Sequence, residues 1–311
     1  MQSLTEKFLL PFSICRYDEK EPKSHFVKLN KNTRWLTLTR FPYNYDSNKY
    51  VEELLQGGKS GILIDGCNKK FANHLSQSGY EILSIGKEAV LNIQGNHFKK
   101  KSLKELIRRG NRQKLFEEIP FSTEVKERLN NFKLDCYHGN EPQLKYLFNN
   151  EFEPFFRLFV LKNKNDKWYG AFMLSNKESN FAQTELILRR KNASVGIIEA
   201  LIFFIFIKLK NEKYEYWSLG AVPFTVYEDK ILTKEGVINF IGRRLRFAYN
   251  YEGLYFFKNK FNPIWIDYYF CVKSKLTFSI FFKVLIKTNL QKLILRKLPH
   301  ALSFGIINKG H

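Results

Sequence analysis

Residues 184–224 read TELILRRKNASVGIIEALIFFIFIKLKNEKYEYWSLGAVPF, and the order of patterns in this stretch decides the fold. It opens inside an apolar run, 182–188, that reads as a strand, and continues through a turn-like RRKNASVG. Residues 196–209 are then apolar enough for a buried helix, and 214–219 form a second strand. Strand, helix and strand in that order make a β-α-β unit. The apolar core of the helix falls well short of the ~20 residues needed to cross a bilayer, so it is expected to pack on a sheet.

Working outward, runs at 155–161 and 168–174 add two strands before this unit. A helix near 234–247 and strands around 253–257 and 265–272 follow it. The N-terminal part has the same character. Strands are expected at 35–39, 61–65, 80–84 and 89–93, with a helix over 67–79 that Gly79 closes. A basic helix is expected over 102–118. The fold class is α/β or α+β, with two mixed sheets flanked by helices. Two similar halves, 1–120 and 121–272, are followed by a basic tail, 273–311.

The chain of 311 residues is 44% hydrophobic and 16% aromatic, with 30 Phe and 16 Tyr, which excludes global disorder. Lys and Arg number 51 against 30 acidic residues, a net charge of +21 and a pI near 9.7, so an anionic partner is expected: nucleic acid, phosphate or lipid surface. Cys15, Cys67, Cys136 and Cys271 are scattered without CxxC pairs or ligand-spaced histidines, which signals neither a disulfide scaffold nor a zinc site. Residues 1–23 make a poor secretory signal, and an intracellular protein is expected.

Two segments carry the charge. Lys99, Lys100, Lys101, Lys104, Arg108, Arg109, Arg112 and Lys114 crowd the basic helix, where Arg108 and Arg109 are candidates for phosphate binding. A solvated helix face is the plain alternative. From residue 268 to the C-terminus there is no acid, while Lys273, Lys275, Lys283, Lys287, Lys292, Arg296, Lys297 and Lys309 alternate with Leu276, Phe278, Phe282, Ile286 and other apolar residues. That is the composition of an interfacial amphipathic helix, or of a C-terminal helix docked on the core with its lysines in water.

In a GNAT-type acetyltransferase, RRKNASVG would cradle a cofactor pyrophosphate at the helix N-terminus. Here Ala193 and Val195 replace the customary glycines and only Gly196 remains. Glu185 precedes the loop and Glu199 lies in the apolar helix after it. A carboxylate in such surroundings must be paired, hydrogen-bonded or neutral, so each is either a structural partner or a site residue. No Ser, His and Asp arrangement for nucleophilic catalysis is evident.

Three blocks together resemble a known family. The stretch quoted above resembles the core block of the C-terminal catalytic domain of phosphatidylglycerol lysyltransferases, the multiple peptide resistance factor family. YNYEGLYFFKNKFNPIWIDYYF resembles its last block, with Lys258, Lys260, Phe261, Pro263 and Trp265 on a K-x-K-F-x-P-x-W pattern. SGYEILSIGKEAVLNI, followed by FKKKSLKELIRRGNRQ, resembles an upstream block. The resemblance covers roughly residues 60–272 and implies a tandem GNAT-like fold. It further implies transfer of an aminoacyl group from aminoacyl-tRNA to a phospholipid such as phosphatidylglycerol, with no cofactor or metal. With the basic, apolar tail as an anchor, a protein peripheral on the inner face of the cell membrane is expected. The chain departs from the family at Leu188, which stands where an arginine is usual, and at Tyr268, which stands at a second arginine position.

On this reading Glu185 and Glu199 are the catalytic candidates. Arg189, Arg190 and Asn192 meet phosphate or the tRNA end, and Lys258 and Lys260 meet a headgroup or the tRNA backbone. Two other readings stay open: a catalytically degenerate module binding anionic lipid or RNA, and a CoA-dependent N-acyltransferase.

Overall fold

A computed structural model describes residues 9–46, 49–50, 52–53, 61–225, 234–273 and 277–307. The expectations for residues 1–8 and for Lys275, Leu276 and Lys309 lie outside these. In chain order the elements are β1 (Ile14–Tyr17), β2 (Phe26–Lys28), β3 (Thr33–Leu36), β4 (Thr39–Pro42), β5 (Gly61–Asn68), α1 (Lys69–Gln77), β6 (Glu81–Asn92), α2 (Lys101–Asn111), β7 (Leu115–Ile119) and α3 (Thr123–Leu134). They continue with β8 (Arg157–Lys162), β9 (Trp168–Glu178), β10 (Phe181–Arg189), α4 (Ile197–Asn211), β11 (Tyr216–Pro223), α5 (Lys234–Arg244), α6 (Tyr251–Asn259), β12 (Ile264–Val272), α7 (Phe278–Lys287) and α8 (Leu290–Ile307).

The mixed α/β class holds, but the two sheets expected are one. Among the described residues twelve strands form a single sheet in the order β2-β3-β5-β12-β6-β11-β10-β9-β1-β4, with β8 also on β9 and β7 on β8. The fusion has a clear cause. β12 inserts antiparallel between β5 and β6, and β6 pairs along its other edge with β11, so no free edge separates the two sets of strands.

Local sequence explains most elements. Asn68 caps α1 by accepting the Phe71 N–H at 3.0 Å, and Gly79 leaves the helix at φ 82°. α4 is apolar on nearly every side because most of its perimeter is covered: Ile197, Leu201, Ile202 and Ile205 sit in the core, and Phe98 packs edge-on against Phe203 and Phe206, while Ile207 stays exposed. At its start Gly196 adopts φ 95°. A Cβ there would lie 1.9 Å from the Leu106 carbonyl oxygen, and one on Gly110 would lie 2.1 Å from the Gly196 carbonyl oxygen. Two glycines therefore let α2 cross the first turn of α4 backbone to backbone.

Four local expectations are corrected. The helix expected over 102–118 ends at Asn111, because Gln113 turns the chain at φ 57° and Leu115–Ile119 pairs antiparallel with β8 as β7. Residues 253–257 are not a strand but part of α6, which begins where the Asn250 side chain accepts the Gly253 N–H at 2.9 Å. The strands expected at 80–84 and 89–93 are one, β6; Gly86 carries it past Val222, whose carbonyl oxygen would lie 2.2 Å from a Cβ. The strand expected over 35–39 breaks at Leu38, which has φ 48°, between β3 and β4.

Candidate functional site

The parallel pair β10 and β11 shares only three registered positions, from Phe181 opposite Tyr216 to Gln183 opposite Ser218. Both strands then run on, to Arg189 and Pro223, and between them opens a cavity of about 440 Å³. Diverging carboxyl ends of parallel strands are where α/β sheets place ligands. Thr184 to Ile187 form one wall, Leu219 to Ala221 with Pro223 the other. α7 and the residues after it close the cavity through Phe281, Val284, Leu285, Thr288 and Leu290.

Most of this lining is apolar, which makes its polar members conspicuous. Lys258, on α6, is buried, and its Nζ donates to the Ala221 carbonyl oxygen at 3.0 Å. Burial pulls its ammonium down to about 7; Glu88 acts weakly in the opposite sense. Glu88 itself is engaged elsewhere: it receives the buried Lys177 ammonium at 3.2 Å and the Ser218 hydroxyl at 2.6 Å.

Asp65, in the middle of β5, is 1% exposed, and its Oδ1 has no hydrogen-bond partner. Burial pushes its carboxyl up to about 8, opposed by the Gly66 N–H. At neutral pH this side chain is an acid able to donate a hydrogen bond, and Lys258 is an amine in part. Tyr268, on β12, is also buried in the lining, with its phenol pushed upward by burial and by Asp65. The Gln183 side chain bridges Phe12 and Glu185, donating to the Phe12 carbonyl oxygen at 2.6 Å.

Of the residues singled out in the sequence, Glu185 and Lys258 come together in the cavity lining. Both Glu185 oxygens are fully used. Oε2 accepts the Asn149 backbone and side-chain N–H groups at 2.8 and 2.9 Å, while Oε1 accepts Ser175 at 2.5 Å and Gln183 at 3.1 Å. Glu199 is buried in the first turn of α4 and pairs with Lys260 at 3.0 Å, outside the lining.

Arg189 donates to the Ala193 carbonyl oxygen at 3.0 Å, which braces the loop before α4. Arg190 holds Asp135 at 2.5 Å and the Trp168 carbonyl oxygen at 2.6 Å. Asn192 is exposed, as are Arg108 and Arg109, which share Glu105 at 2.8 and 2.7 Å. None of these lines the cavity. Among the described residues no three His, Cys, Asp or Glu side chains are grouped to hold a metal ion.

Asp65, Tyr268 and Gln183 are among the lining groups that reasoning from sequence did not nominate, as are His138, Thr184, Tyr249 and Thr288. The one local signal was an acid followed by glycine in an apolar strand.

This split strand pair, with a buried lysine in the cavity between the strands, sits inside residues 51–272, the span matched by the family model for the phosphatidylglycerol lysyltransferase C-terminal domain. The chain belongs to that family. L-PGS from Bacillus licheniformis superposes with a TM-score of 0.67 at 18% identity, covering 87% of this chain and 86% of that one. The C-terminal domain of a protein described as a lysylphosphatidylglycerol synthetase from Agrobacterium fabrum superposes at 0.65, again at 18% identity, with 86% and 85% covered. These likenesses establish a shared fold. No curated protein sequence matches the chain. As a lysyltransferase-family domain it is a transferase, and no described helix is long and apolar enough to cross a membrane.

Proposed function

We propose that this family member moves an aminoacyl group from aminoacyl-tRNA to a hydroxyl of a glycerophospholipid such as phosphatidylglycerol, working at the cytoplasmic membrane face. The observation that carries this reading is Lys258, a buried lysine poised near neutrality in the lining of an apolar cavity.

The reaction exchanges one ester for another. The lipid hydroxyl oxygen bonds to the aminoacyl carbonyl carbon, the bond from that carbon to the ribose oxygen breaks, and the hydroxyl proton ends on the ribose oxygen. Neutral Lys258 would take the proton from the attacking hydroxyl and return it to the leaving ribose oxygen. The carboxylic acid of Asp65 and the phenol of Tyr268 would donate to the oxyanion that develops in between. Glu185, held by four donors, would contribute fixed negative charge to the wall near the donor's ammonium. Arg108, Arg109, Arg189, Arg190, Asn192 and Lys260 would meet tRNA or headgroup phosphates outside the cavity, and Glu199 would hold Lys260 in place.

The test is transfer from a mixed pool of labelled aminoacyl-tRNAs to phosphatidylglycerol vesicles by the purified chain. Labelled lipid is expected with the natural chain and not with Lys258→Met. Equal labelling by both would remove Lys258 from the reaction.

A further inference from the structure

Helix α7 has more apolar perimeter than its core contact uses. Ile280, Phe281 and Val284 are buried in the cluster that also holds Trp35, Leu63 and Phe270. Phe278, Phe282 and Ile286, spaced four residues apart and so aligned in one stripe, point away from that contact and are 49%, 53% and 52% exposed. Three large side chains half in water along one helix are an unfavourable surface for a protein that stays in water.

The charge beside the stripe has one sign. At 100° per residue Lys283 borders the stripe on one flank, between Ile286 and Ile280, and Lys287 follows on that same flank one turn later, where it is exposed. Neither has an acidic partner among the described residues, and no acid follows Asp267 in the sequence. Aligned apolar side chains bordered by lysines match an anionic bilayer, whose headgroup layer takes the cations and whose acyl boundary takes the rings. RNA would satisfy the lysines and leave the stripe in water. We propose that the outer face of α7 docks on an anionic membrane surface. The inner face of the same helix lines the cavity through Phe281, Val284 and Leu285, so docking sets the cavity directly beneath the lipid layer. The proposal rests on the packing of α7 and not on the transfer reaction.

The test is sedimentation of the full chain with vesicles of phosphatidylglycerol and phosphatidylcholine, with pure phosphatidylcholine vesicles as the comparison. The natural chain is expected to pellet with the anionic vesicles. Phe282→Ser with Ile286→Ser is expected to weaken that binding at least about tenfold, without lowering Tm, because both side chains are exposed. Lys283→Gln with Lys287→Gln is expected to weaken it and to reduce its salt dependence.

Three results would overturn the proposal: no binding to anionic vesicles, equal binding by the Phe282 and Ile286 variant, or an apolar stripe that proves to be a contact between two copies, seen as a dimer that this variant converts to monomer. Because sedimentation needs no aminoacyl donor, vesicle binding without lipid product would count against the transferase reading alone.

Discussion

The Lys258 Nζ lies 3.0 Å from the Ala221 carbonyl oxygen, past the point at Ser218 where β10 has ceased to pair with β11. The lysine thus occupies an acceptor on the edge that the parallel neighbour has left. One arrangement both closes a gap in backbone hydrogen bonding and puts a desolvated amine in the cavity lining.

That burial is costly, so Lys258→Met is expected to abolish transfer while stabilising the fold. A buried charge replaced by an apolar side chain of similar length gains about 2 kcal/mol at neutral pH, or roughly a 3 °C rise in Tm. Calorimetry at pH 7 checks it; a lower Tm would show that the bond to Ala221 outweighs desolvation.

Asp65 and Lys258 give opposite pH dependences. The Asp65 carboxyl is raised from 3.8 to about 8, so between these values the folded chain holds a proton the unfolded chain lacks, and stability falls as pH rises. The Lys258 ammonium is lowered from 10.5 to about 7, so between about 7 and 10.5 the unfolded chain holds the extra proton and stability climbs with pH. Urea denaturation across pH is expected to show a minimum near pH 7 to 8 from these two groups. Asp65→Asn should flatten the acidic limb and Lys258→Met the alkaline one.

Transfer should follow the reverse profile. Activity is expected to rise as Lys258 loses its proton near pH 7 and to fall as Asp65 ionises near pH 8, giving a narrow bell. Asp65→Asn should remove the alkaline fall in kcat; a fall that persists in this variant would place that ionisation elsewhere.

The fit of α2 against α4 offers a structural check. Gly196→Ala must push a Cβ into the Leu106 carbonyl oxygen and hold a residue at φ 95°, which together should cost about 3 kcal/mol or more in urea denaturation. A change under about 0.5 kcal/mol would contradict the backbone crossing.

Glu185→Gln replaces an acceptor that four donors share, so one amide hydrogen must face a donor. A loss of about 1 to 3 kcal/mol in stability is expected. Activity should drop in parallel with the folded fraction and with KM rather than vanish, which steady-state kinetics below Tm would show.

The elements legible in sequence were those whose signals are local. α1 announces itself by Asn68 and Gly79, and α4 by its unbroken apolar run. The site was legible only in part. Glu185 stood out as an acid in an apolar strand; Lys258 is nominated through the family pattern, but its burial follows only from the course of α6 past β11, which no local pattern shows. Asp65 and Tyr268 meet because β12 inserts beside β5, a pairing of residues far apart in the chain that no local pattern encodes. α6 itself was misread because a short apolar run suits strand or helix equally, and the Asn250 cap decided it.

Aminoacyl transfer by this chain is read out by mass spectrometry of total lipids from a host that makes no aminoacylated lipids, with and without the chain expressed. A new phospholipid heavier by one amino-acid residue is expected, absent when Lys258→Met is expressed at the same level. An unchanged lipid profile from a folded, membrane-bound chain would contradict transfer by this chain.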